Sequence, residues 1–148
     1  FYFVLNLTPG IFSKNMRNEV MQKNTNGYQL MTWVNTNLEE NEQIISSHRS
    51  LSLINNKSYS LIFLNYLNKN SPDFKKYVNY IRKNNVNKVL IHENFKLGNF
   101  QNCVKEKINT ISNIEIFSGR NPFNKKSKER SASIYKVDLN NLENCFND

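Results

Sequence analysis

The pentapeptide Ser46-Ser47-His48-Arg49-Ser50 sets hydroxyls, an imidazole and a guanidinium side by side. Those groups together would grip an anion or the hydroxyls of a sugar. A serine nucleophile with a histidine base would need a third group to orient the base, and neighbours in an extended segment point to opposite faces. The same residues equally suit a polar strand end whose side chains bond the nearby backbone. His92-Glu93 offers a second imidazole that could serve as a base, although a His-Glu pair arises often by chance. Positive charge concentrates between Gly119 and Arg130, where Arg120, Lys125, Lys126, Lys128 and Arg130 face the single acid Glu129. Such a loop suits phosphate or an acidic membrane surface, near which each cation contributes roughly 1 kcal/mol before salt screening. A solvated hairpin connection would have the same composition. The binding candidates are therefore His48, Arg49, Arg120, Lys125 and Lys126, and no residue set reads as a catalytic centre. Cys103 and Cys145 show no CxxC spacing and join no Cys/His cluster, so no metal is expected; they are read as ordinary thiols, with a disulfide as the alternative.

These residues must be positioned by a chain of 148 residues, near the commonest size for one domain and long enough to bury a core. Roughly one residue in five is asparagine, and lysine is also frequent. Both have A/T-rich codons, so a low-GC genome explains them, and the asparagines are dispersed between apolar segments as on the surface of a folded body. The same bias inflates the net charge of +8, which becomes informative only where cations cluster.

Hydrophobic periodicity orders the elements. Phe1 to Leu7 is apolar but far short of the roughly twenty residues that cross a bilayer, and Pro9-Gly10 breaks it. Residues 1–12 are read as the end of a membrane-spanning helix, with a strand as the alternative, and 13–25 as a polar linker. A soluble α/β domain is expected over 26–148. Asn26 would cap a helix whose apolar positions Gly27, Leu30, Met31, Val34 and Leu38 recur at three- and four-residue intervals and give one face to bury. Strands are expected at 43–47, 59–66, 86–91, 114–117 and 133–137, the last two antiparallel across the loop 118–130. The clearest helix begins at Ser71-Pro72-Asp73, with Phe74, Tyr77, Val78 and Ile81 as its stripe, and stops at Asn84-Asn85. Phe100, Cys103, Val104 and Ile108 share a face if 99–110 is helical. The fold class is a small two- or three-layer mixed sheet of about five strands with about three helices, Rossmann-like but without a nucleotide motif. Ligands in such folds sit at strand carboxyl ends, here Ser46 to Ser50, His92-Glu93 and Ser118 to Arg120. No GxGxxG or GxxxxGK[ST] follows them, so no nucleotide cofactor is expected.

Asn26-Gly27-Tyr28-Gln29-Leu30, then Trp33-Val34-Asn35, then Ile44-Ile45 leading to His48-Arg49-Ser50 resemble the soluble domain that follows the last membrane span of polytopic bacterial glycosyltransferases using lipid-phosphate sugar donors. That resemblance implies a non-catalytic accessory domain on the extracytoplasmic, periplasmic face. It would pack over the membrane core of its parent and touch a lipid-linked sugar, an acceptor or acidic lipid headgroups. Lys14, Arg17 and Lys23, just after the apolar stub, argue for the opposite side by the positive-inside tendency. The alternatives are a freestanding enzyme on a phosphorylated or sugar-like substrate with His48 or His92 as acid/base, and a basic nucleic-acid-binding module, disfavoured because no RRM, KH or helix-turn-helix signature accompanies the charge.

Overall fold

Three short parallel strands and one long antiparallel hairpin build the sheet. The computed structural model describes residues 8–11, 13–117 and 127–146. In chain order the elements are α1 (Lys14–Asn24), α2 (Tyr28–Thr36), β1 (Ile44–Ser46), β2 (Ser58–Ser60), α3 (Leu61–Tyr66), α4 (Pro72–Lys83), β3 (Lys88–His92), β4 (Val104–Phe117) and β5 (Ser127–Val137). The sheet runs β2-β1-β3-β5-β4. β1 is parallel to both β2 and β3, whereas β5 is antiparallel to β3 and β4. The described residues thus form a small mixed α/β domain of five strands, with four helices where about three were expected.

Alternation along the central strands divides the core into two layers. Ile44 and Leu90 pack with Leu30, Met31 and Val34 of α2, while Ile45 and Val89 pack with Leu61, Leu64, Phe74, Val78 and Ile81 of α3 and α4. Because successive strand side chains point to opposite faces, strands covered on both sides must be apolar at every position. α4 forms as its sequence dictates: the Ser71 hydroxyl accepts from Phe74 N, Pro72 opens the helix, and Asn84 follows its last turn.

Three expected elements differ. The apolar run 59–66 is not one strand: β2 ends at Ser60, whose hydroxyl caps α3 by accepting from Phe63 N. A continuous apolar run fits a buried strand or a buried helix turn equally, and the cap decides it. The expected helix over 99–110 is a 3-10 segment, Gly98–Cys103, followed by β4. Pairing of β4 with β5 overrides the helical spacing and leaves Ile108, expected to be buried, 42% exposed. Residues 14–24, read as irregular, form α1, capped by Ser13 through Met16 N, yet bury no side chain. Gly27 and not Asn26 occupies the cap position of α2, at φ 76°.

The two cysteines are joined as Cys103–Cys145, with Cα atoms 5.7 Å apart, which corrects the free-thiol reading. The bridge pins the C-terminal segment to the start of β4. No described helix is long and apolar enough to cross a membrane, and the apolar stub 1–7 lies outside the described residues.

Candidate functional site

β1 and β3 end side by side, and their parallel direction brings the Ser46–Ser50 segment and His92 to one edge of the sheet. Ser47 N still donates to Leu90 O at 2.9 Å, extending the pairing one residue past β1. The chain then turns, held by the buried Ser46 hydroxyl, which accepts from His48 N at 3.0 Å and donates to His48 O at 3.2 Å. Ser47, pointing the other way, reaches β3: its Oγ lies 2.7 Å from His92 Nδ1 and accepts from His92 N at 3.1 Å. Part of this serine-rich segment is thus the polar strand end that its composition allows.

His48 is set by the start of α2. Its ring lies so close to Gly27 that a Cβ there would sit 2.5 Å from Cε1, and the residue's φ is +76°. Only glycine satisfies both the approach and the left-handed backbone. Ser50 Oγ donates to Asn26 O at 2.8 Å, and Ser50 N donates to His48 Nδ1 at 3.2 Å, so the loop and the helix start fix the imidazole together. The His48 and His92 rings meet edge to face with centroids 5.7 Å apart, and Phe95 covers the far side of His92 at 5.5 Å.

β5 contributes Arg130. Its Nη1 donates to Glu93 O at 3.3 Å, and its Nε is buried without a hydrogen-bond partner among the described residues. The Glu93 carboxylate turns away onto Ser131, accepting from its N at 2.9 Å and its Oγ at 3.2 Å, and these bonds hold it below the usual carboxylate range. Ser47, His48, Arg49, His92 and Arg130, with Tyr66 at the lip, surround a pocket of about 440 Å³ that no acidic side chain lines among the described residues. Burial, then the neighbouring charges of His48 and Arg130, push the His92 imidazole down to about 4. Burial and Arg49 lower that of His48 as well. Both rings are therefore neutral at neutral pH, in a pocket whose fixed charge comes from two guanidiniums.

The structure brings His48 and Arg49 together, while Arg120, Lys125 and Lys126 lie outside the described residues. Sequence reasoning named His92 only as an alternative base and did not single out Arg130, which lies where the basic stretch enters β5. Strand register alone carries Arg130 to the pocket, and register is not written in local spacing. Among the described residues no three His, Cys, Asp or Glu side chains gather as a metal site would need.

Fold and site together define a small mixed α/β domain with a basic pocket, lined by no carboxylate among the described residues, at the carboxyl ends of its parallel strands. The chain belongs to the DUF1420 C-terminal domain family, whose model matches residues 22–148, and so to a family of C-terminal domains of larger proteins. No curated protein and no solved structure matches it.

Proposed function

We propose that this domain binds and does not catalyse: it is an accessory module whose pocket receives an anionic group. The observation that carries the reading is the burial of Ser47. The Ser47–His92 contact resembles a nucleophile with its base, but Ser47 is 0% exposed and its oxygen is engaged by His92 through both ring and backbone. A nucleophile must reach its substrate. This hydroxyl instead orients an imidazole, while Arg49 and Arg130 supply attraction for negative charge beside two neutral imidazoles.

The wider assignment is a membrane-tethered, periplasmic domain of a glycosyltransferase-like parent, contacting lipid-linked sugar phosphate or acidic headgroups. It draws on the resemblance of residues 26–50 and on the Cys103–Cys145 bridge, because disulfides persist in oxidising compartments. An open reading frame encoding many hydrophobic spans upstream of Phe1 supports the tether, and an initiator Met a few codons before it removes that support.

Binding is tested by calorimetric titration of the 148-residue chain with inorganic phosphate at low ionic strength. Saturable binding is expected, and Arg49→Ala with Arg130→Ala together should weaken it by roughly tenfold or more, the loss of two charge-assisted contacts. Turnover of nitrophenyl phosphate or nitrophenyl acetate that disappears in Ser47→Ala would replace the binding reading with a catalytic one.

A further inference from the structure

Given that anion-binding reading, we propose that the pocket selects a phosphoryl group, a tetrahedral oxyanion, over a planar carboxylate or an uncharged hydroxyl-bearing ligand. The selectivity follows from where the hydrogens are. His48 Nδ1 accepts a bond from Ser50 N at 3.2 Å, so the neutral ring carries its hydrogen on Nε2. At His92 the Ser47 oxygen already accepts the backbone N–H, and the serine hydrogen has one acceptor among the described residues, Nδ1 at 2.7 Å. With the serine hydrogen on Nδ1, that ring too carries its hydrogen on Nε2. Two serines thus set both histidines in the same tautomer, each leaving an Nε2–H that no described protein group takes.

The two arginines of the cradle have the same polarity. Arg130 spends Nη1 on Glu93 O and keeps a buried Nε–H without a partner, and Arg49 adds a second guanidinium. Guanidiniums only donate, and with Nδ1 of each imidazole taken by a serine the remaining Nε2–H donates as well. The carboxylate of Glu93, next to His92 in the chain, is occupied by Ser131. A ligand hydroxyl entering here would meet donors against its own hydrogen, a mismatch that costs binding. An oxyanion that only accepts meets none. The donors also arrive from three directions: His48 and Arg49 from the loop after β1, His92 from the end of β3 and Arg130 from β5. A tetrahedral group distributes its oxygens over a cone and can answer all three, whereas the two oxygens of a carboxylate lie in one plane.

Nitrogen-15 correlation spectra of the imidazoles in the 148-residue chain test the inference, recorded alone and with inorganic phosphate, sulfate or acetate at matched ionic strength. The expected result is the Nε2–H tautomer at both rings, Nε2 shifts with phosphate and sulfate, and acetate weaker by roughly tenfold or more, one charge-assisted bond's worth of discrimination. Ser47→Ala, which frees the His92 tautomer, should narrow that gap. An Nδ1–H tautomer at either ring, or acetate binding as tightly as phosphate, overturns the selectivity. No shift with any of the three salts overturns instead the anion-binding reading beneath it. Vesicles of phosphatidylcholine with and without phosphatidic acid assign the source. Displacement of bound phosphate only by the phosphatidic-acid vesicles places the phosphoryl group on a lipid, and phosphate binding untouched by either places it on a soluble molecule; both results support the selectivity.

Discussion

The two halves of the sheet solve different problems. On one side β1 and β2 have three residues each and β3 has five, all nearly covered by helices; on the other, β4 has 14 residues and β5 has 11. The parallel strands are short because each need only cross the core; β3 ends on His92 in the pocket, and the segment after β1 carries Ser47 to Ser50 there. The hairpin is long because it does more than cross. Only Ala132 to Lys136 of β5 pair with β3, so Ser127 to Ser131 run on past the end of the parallel half. Arg130 lies in that overhang, two residues beyond the partner of His92. A hairpin cut to the length of β3 would take Ile114 and Ile116 out of the core beside α2 and leave the pocket without one of its two guanidiniums. β4 lies at the sheet edge, where register shifts at three places and Asn113 at φ 57° break its regularity. Such irregularities discourage a second chain from adding to an exposed strand.

That division is open to mutation. The largest effect is expected from Cys145→Ser, which frees the segment after β5 from the start of β4; closing a loop of this separation is worth about 4 kcal/mol in the chain-entropy account. Urea unfolding should show that loss while the affinity for phosphate, measured where the variant is folded, stays within about twofold, since neither cysteine lines the pocket. A matching loss of affinity would join the two halves into one unit. Next comes Gly27→Ala, which must displace His48 and adopt a left-handed backbone; about 3 kcal/mol is expected from clash and strain together. Gly98→Ala is the control. It has φ +57° but open space around it, so only the strain, about 1 kcal/mol, should appear. Equal losses at the two glycines would mean that His48 yields easily and that the helix start does not fix the pocket.

Local chemistry explains which parts could be read in advance. α4 announces itself through Ser71-Pro72-Asp73 and an apolar stripe, and Ile44-Ile45 and Val89-Leu90-Ile91 through unbroken apolar runs, because cap and core demands act within a few residues. Ser46 to Ser50 was legible as a polar strand end for the same reason. Nothing local marks Val104 to Thr110 as a strand: its polar and charged residues gain their pairing from β5, some 25 positions away. The disulfide was equally hidden, since no spacing rule connects Cys103 to Cys145 and only the fold brings the C-terminal segment back. The site divides along the same line. His48 and Arg49 stand in one stretch of chain, while His92 and Arg130 join them through a parallel pairing and an antiparallel register.

The subtlest expected difference between the halves is in their response to acid. His92 titrates near 4 where an unfolded histidine does so at 6.5, so between those values the unfolded chain binds the proton more readily and stability falls with pH; below about 4 both states are charged and this contribution levels off. His48, also lowered, adds in the same direction. The facing charges, Arg49 and Arg130, oppose protonation, and Glu93, held on Ser131, does little to offset them. In the hairpin, Glu106 is held below its ordinary value by Lys136 and loses stabilising charge only at more acidic pH, so the histidine half should respond first as acid is added. Urea midpoints at a series of pH values from 7 to 4.5 should therefore decline more steeply in the native chain than in His92→Gln, whose side chain has no proton to gain. Saturating sulfate, dianionic across that range, should flatten the native curve, because an oxyanion over the rings favours the protonated imidazole. Parallel curves for the native chain and His92→Gln would mean that the His92 environment is no more hostile to charge than water. The pocket would then lose its claim to two neutral, tautomer-set donors.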